Sequence, residues 1–216
     1  AVTAFVNTHI AAATAVVVWS IMEWVHQGKP TLLGACTACV AGLVAITPAA
    51  GFVAPTGALW IGILVCPVCY LAINLKTKLG YDDSLDAFGV HGVGGALGAV
   101  LTGLFATVAV NANGTDGLLY GGSVTILLNQ ALSVLIAAGY SFVVSLIILL
   151  ALKATLGLRV SEEDEEVGLD ISQHRERGYI MELHDIVTSS RRISFSEPNH
   201  AHAQSEGRSA SESNGI

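Results

Sequence analysis

DDSLDAFGVHGVGGALGAVLTGLFA, residues 82–106, is the stretch that decides how the chain is read. From Ala87 to Ala106 it carries a single ionisable side chain, His91, among small and apolar residues. A run of about 20 such residues has the length of a membrane helix. The composition agrees. Of 216 residues 52% are hydrophobic and 12% charged, with mean hydropathy +0.62. A soluble domain of this size carries about a quarter charged residues. The formal net charge of −7 comes mostly from the last sixty residues, and no basic face marks a nucleic-acid binder.

Five apolar segments are predicted to span, roughly 3–25, 31–53, 57–75, 84–106 and 123–152. The last would be about 45 Å long as a helix and should cross tilted or project beyond the bilayer. Lys29, the pair Lys76 and Lys78, and the exit residues Lys153 and Arg159 place the positive charge on alternate connections. Those connections are expected on the cytoplasmic side, so the chain begins outside and its tail lies inside. The chain starts at Ala1 within an apolar run, with no signal peptide before it, and reads as the carboxy-terminal part of a longer protein. Residues 158–187 mix charged with apolar positions and could order against a partner surface, whereas 188–216 have the composition of a disordered segment.

Packing explains most of the small residues. Gly94 and Gly98 are four apart, Gly89, Gly92 and Gly95 three apart, and Gly34, Ala38 and Gly42 repeat the four-residue spacing. Such faces let helices approach closely in lipid. His91 is the exception. A charged side chain at mid-membrane costs about 2.5–3.5 kcal/mol on insertion scales, and even a neutral imidazole needs partners for its ring nitrogens. Ala87, one turn earlier, leaves room beside it. A residue of this kind faces a cavity or substrate path more often than it makes a structural hydrogen bond. His9, near the outer end of the first segment, suits an interfacial role. Asp83 and Asp86 read as the N-cap and N3 residues of the helix that carries His91. Asp86 and His91 are five apart and would not share a helical face.

Two Cys-x-x-Cys pairs, Cys36/Cys39 and Cys66/Cys69, have the spacing of a zinc site but lie inside apolar segments, which favours packing over metal or redox chemistry. Pro48 after Thr47 should bend the second helix. Val40, Val44 and Thr47 share one face of it, as a pore wall or as ordinary packing. Asn113-Gly114-Thr115 is a glycosylation sequon in a loop expected outside.

Residues 82–106 closely resemble the signature of the ammonium transporter family (Amt/Mep/Rh), on its Amt side. AFVNTHIAAATAVVVW at 4–19, KPTLLGACTACVAGLVAITPAAGFV at 29–53 and GLRVSEEDEEVGLDISQHRERGY at 157–179 also resemble family segments. The resemblance implies an all-α membrane protein in which residues 1–157 form five transmembrane helices, helices seven to eleven of an eleven-helix fold. A cytoplasmic regulatory tail at 158–187 and a disordered tail at 188–216 follow. It implies a homotrimer in the plasma membrane, a narrow apolar pore in each subunit and no cofactor. The transported species would be ammonium or ammonia.

In that family two histidines lie side by side in the pore and handle the proton. His91 matches the second, and its partner and the outer gate belong to the half not present in this chain. Val40 and Thr47 match positions near the pore lining, Ala87 lies one turn from His91, and Asp83 and Asp86 match acidic positions at the inner end of the helix. In the tail, Ser172 takes the place of a phosphorylatable Thr after the Gly168-x-Asp170 turn. Arg175 stands where the family usually has Gly, which matters if that Gly supplies a positive φ. Ser194 in Arg191-Arg192-Ile193-Ser194 has the form of a basic-directed kinase site, against the alternative of an unmodified tail. The main rival function is an ammonium sensor that signals through the tail. Carbon dioxide transport is a further rival, and an intramembrane enzyme lacks paired carboxylates or a Ser–His pair.

Overall fold

A computed structural model describes residues 1–178. It divides into two units, Ala1–Leu149 and the part from Leu150 onward. The first unit holds helices α1 (Val2–Gln27), α2 (Leu32–Ile46), α3 (Pro55–Leu79) and α4 (Val93–Phe105), with a π-helical turn, Phe88–Gly92, leading into α4. The long helix α5 (Val124–Thr155) runs across the division, and the short helices α6 (Glu162–Val167) and α7 (Leu169–Ser172) belong to the second unit. Among the described residues four helices are long and apolar enough to cross a membrane: α1, α3, the Phe88–Phe105 stretch, and α5.

Local chemistry sets the ends. α1 stops at Gly28, which is left-handed (φ 79°) and returns its N–H to Trp24 O. α2 begins at Thr31, whose hydroxyl accepts from Gly34 N at 2.9 Å. α3 starts with Pro55 in its first turn and ends at left-handed Gly80, with Lys76 and Lys78 placed favourably against its dipole.

Two boundaries depart from the sequence reading. The predicted helix 31–53 is helical only to Ile46, and Thr47–Phe52 form successive turns. Fifteen residues give about 22 Å, short of the ~30 Å hydrocarbon core, so turns complete the depth. Non-helical backbone at such depth must find partners within the protein. Asn7 of α1, fully buried, supplies them: its amide donates to Ala50 O at 2.9 Å and Val53 O at 2.7 Å. Thr107 N–H donates to Phe52 O at 2.8 Å, and Val53 bridges to Ala106. The carboxyl ends of α2 and α4 therefore meet, and the two helices run parallel. The second departure is at residues 84–86, expected to be helical, which form a turn before the helix begins at Ala87.

The core is a set of close backbone approaches. A Cβ on Gly42 of α2 would lie 2.7 Å from Ala11 O, and one on Gly62 of α3 would lie 2.6 Å from the same oxygen. A Cβ on Gly98 of α4 would collide with the backbone of Ala45 in α2. Around these points pack Ala15, Ala38, Ala41, Ile46, Ile61 and Val65, all buried. Overpacking such contacts costs about 1–3 kcal/mol or more. Gly98→Val should therefore lower the thermal midpoint of the purified full-length protein and the yield of assembled material. Gly51→Ala, where a Cβ meets open space, should leave both unchanged. Size-exclusion thermal profiles in detergent check this.

Candidate functional site

His91 sits in the π-helical turn, where Val93 N–H reaches back to Phe88 O as well as to Val90 O. One extra residue per turn is costly in an α-helix, and such turns concentrate at functional positions. Glycines shape this one. Gly89 is pressed against Ile73 of α3, and the Phe88 ring folds over Gly92, where a Cβ would meet it at 2.9 Å. The edge of Tyr81 meets the Phe88 ring, centroids 6.3 Å apart.

The His91 side chain is exposed, and its ring nitrogens have no hydrogen-bond partner among the described residues. α2 packs against both the π-helical turn and α4. Val44 Cγ1 lies against Gly94 and Gly95, at 3.8 and 3.6 Å from where their Cβ atoms would be. Four residues before Val44 and Gly95, which meet, stand Val40 on α2 and His91 in the π-helical turn. Val40 is 38% exposed and Leu43 37% exposed. Thr47 and Ala87 are exposed as well, and the Thr47 hydroxyl donates to Leu43 O at 2.7 Å. Val40, Leu43 and Thr47 are thus exposed positions at helical spacing on α2, and Ala87 and His91 are exposed just before and within the π-helical turn against which α2 packs.

The two aspartates behave differently from each other. The Asp83 carboxylate accepts from Ala87 N at 2.9 Å and Phe88 N at 3.0 Å, covering the free N–H groups where the helix begins. The sequence reading of Asp86 as the N3 cap needs correction. Asp86 is left-handed (φ 55°), outside the helix, and its carboxylate pairs with Lys76 Nζ of α3. His9 is exposed, and its Nδ1–H donates to Phe5 O at 2.9 Å within α1. Asn113 is exposed in a turn, its N–H donating to Asn111 Oδ1 at 3.1 Å. Cys66 and Cys69 are buried, Cys39 is half-buried and Cys36 exposed; the Cys66 thiol donates to Ala15 O at 3.2 Å.

Sequence reasoning missed Glu23. It is buried near the carboxyl end of α1, and its carboxylate accepts from Thr31 N at 2.7 Å, from the Thr31 hydroxyl and, at 3.4 Å, from Trp19 Nε1. It fills the space where Gly34 lacks a Cβ. Its signal was available: an acid four residues after a Trp, inside an otherwise apolar run.

The chain matches the model of the Ammonium Transporter Family over residues 1–179. The chain belongs to the ammonium transporter family. It is 46% identical over 177 residues to an ammonium transporter of Bacillus subtilis, covering 82% of this chain and 44% of that protein. It is 51% identical over 177 residues to one of Aquifex aeolicus, covering 82% and 41%. Among solved structures it resembles Candida albicans Mep2, with TM-score 0.68 and 33% identity, over 83% of this chain and 43% of that one. It also resembles a structure described as a sensor Amt protein, with TM-score 0.68 and 32% identity, over 79% and 41%. The all-helical membrane fold read from the sequence is the fold of this family, and the chain is an integral membrane protein. It spans less than half the length of these relatives.

In the second unit, α6 and α7 form an acidic turn. Ser161 caps α6, accepting from Asp164 N at 3.2 Å. Gly168 separates α6 from α7 with φ 99°, and Ser172 donates to Asp164 O at 3.2 Å. Arg175 takes φ 56°, a left-handed conformation that costs about 1–2 kcal/mol in backbone strain. Ser194 lies outside the described residues, as does the segment expected to be disordered. The Gly178 N–H aimed at Asp170 holds its carboxyl below the usual carboxylate range. A depressed folded pKa contributes stability that is complete above the unfolded value, about 3.9, and is lost as pH falls through the folded one. Protection of the Gly178 amide in the full-length protein, measured against its intrinsic exchange rate at each pH, should be present at neutral pH and lost as the medium is acidified below that range. In Asp170→Ala that protection should be absent at every pH.

Proposed function

We propose that this chain forms the carboxy-terminal part of an ammonium transporter, in which His91, Val40, Leu43 and Thr47 line one side of the pore. The observation that carries the reading is an imidazole without a partner among the described residues, exposed in the π-helical turn against which α2 packs. Ammonium entering such a space loses most of its hydration, which is expensive for a bare cation. A neutral imidazole accepts a hydrogen bond at one nitrogen and donates at the other. Paired with a second histidine from the half not present here, it would take or pass the proton so that ammonia crosses the apolar stretch uncharged. Val40, Leu43 and Thr47 offer few oxygens to replace the water around potassium, so that ion is excluded. The role is transport rather than catalysis of a covalent change.

The same reading includes a homotrimer in the plasma membrane, a cytoplasmic tail that favours the conducting state, and control by phosphate at Ser172. A phosphoryl group there adds about −1.5 to −2 charge beside Asp164 and Asp170 and would open the turn. The second reading, an ammonium sensor, is favoured by the likeness to the sensor Amt protein.

The test uses cells that take up nitrogen only through the full-length protein. His91→Ala should reduce ammonium uptake by about 100-fold, or let potassium through, with assembly unchanged. Unchanged fluxes of both ions would overturn the role of His91. Ammonium-dependent signalling without uptake by the unmodified protein would favour the sensor.

A further inference from the structure

We propose that Lys76 is a positioning residue for His91, acting through the left-handed Asp86 at the entry to the π-helical turn. This rests on the reading of His91 given above.

Among the described residues nothing bonds to the His91 ring, so this chain sets its position through the backbone of the π-helical turn. That backbone departs from α-helical geometry, so something upstream must hold the departure. The chain leaves α3 at Gly80, whose N–H returns to Lys76 O at 2.9 Å. It re-enters a helix only after the turn Asp83–Asp86, closed by Asp86 N to Asp83 O at 3.1 Å. The Lys76 ammonium grips both ends of this turn. It donates to Asp83 O at 2.6 Å and to the Asp86 carboxylate. The pair is largely screened from solvent, with side chains 20% and 27% exposed.

Asp86 is left-handed, a conformation uncommon outside Gly but tolerated by Asp. Its carbonyl accepts Val90 N–H at 2.9 Å, an α-type bond that ties the strained residue to the start of the π-helical turn. Without the ammonium, the Asp86 carboxylate faces the neighbouring acid with no counter-charge. The residue then relaxes to the right-handed region and the helix extends back through it. Downstream, Gly94 and Gly98 are fixed against α2, so the change is absorbed in residues 88–92. Converting a π-helical turn to α-helical removes one residue from it, which swings the amino-terminal side by up to about 100° around the axis. His91 would be displaced.

The experiment compares Lys76→Met, Lys76→Arg, Asp86→Gly, Asp86→Ala and His91→Ala in the full-length protein, reading maximal ammonium uptake, apparent KM and the amount of assembled protein. Lys76→Met should lower the maximal rate by about tenfold or more, with KM changed less than about twofold and assembly retained. Lys76→Arg should recover most of the rate. Asp86→Gly, which keeps the left-handed backbone without strain, should transport better than Asp86→Ala.

If Lys76→Met transports normally while His91→Ala does not, the positioning role is wrong and the reading of His91 stands. If His91→Ala transports normally, the reading of His91 is wrong and this inference falls with it. Should Lys76→Met fail to assemble, the Asp86 pair decides. Equal rates per assembled protein in Asp86→Gly and Asp86→Ala would overturn the proposal, and a better rate in Asp86→Gly would support it.

Discussion

The approach of two helices to one carbonyl, Ala11 O of α1, is the constraint on which the rest of the structure depends. Gly42 and Gly62 come to it from α2 and α3, each at a distance that a side chain forbids. In lipid there is little hydrophobic drive between helices, so van der Waals contact over such faces supplies the association. The Gly98 contact with Ala45 then locks α4 to α2. That contact, with Gly94 and Gly95 on Val44, fixes which residues of the two helices lie side by side. The placing of His91 relative to Val40 is a consequence of glycines that never touch either residue.

Tight packing of short α2 leaves backbone groups at both of its ends that water would otherwise satisfy. Two buried polar side chains of α1 take them. Glu23 receives the N–H of Thr31 at the start, and Asn7 donates to the carbonyls of Ala50 and Val53 beyond the end. Hydrogen bonds of this kind contribute about 0.5–1.5 kcal/mol each, but an unsatisfied buried group costs more, so their role is to permit the short helix. α1 is thus both the packing centre and the polar brace.

Much of this was legible in the sequence. Long apolar runs gave the helices, the glycine spacing gave the contact faces, and one imidazole in a run of small residues marked the site. What escaped reading has physical causes. Pro48 suggests a bend, whereas the helix stops at Ile46 and Asn7 takes the carbonyls of Ala50 and Val53 in and beyond the turns that follow. Asp86 fitted the spacing of a cap, but spacing carries no φ, and the pull of a lysine ten residues earlier, on another helix, is a tertiary fact. The π-helical turn is invisible to periodicity because it alters five residues only. Arg175 was a place where a missing Gly questioned the turn, and the structure shows Arg bearing the left-handed conformation itself.

The central claim is that the exposed residues of α2 and of the π-helical turn line the path of the substrate. The most direct measurement replaces Val40 with Cys in a full-length protein whose Cys36 and Cys39 are changed to Ser, then applies a small, water-soluble thiol reagent. The account predicts that the new thiol is modified, that modification blocks ammonium uptake, and that ammonium slows the reaction. A thiol at this position that resists the aqueous reagent yet reacts with a lipid-soluble one, with uptake unaffected, would contradict it.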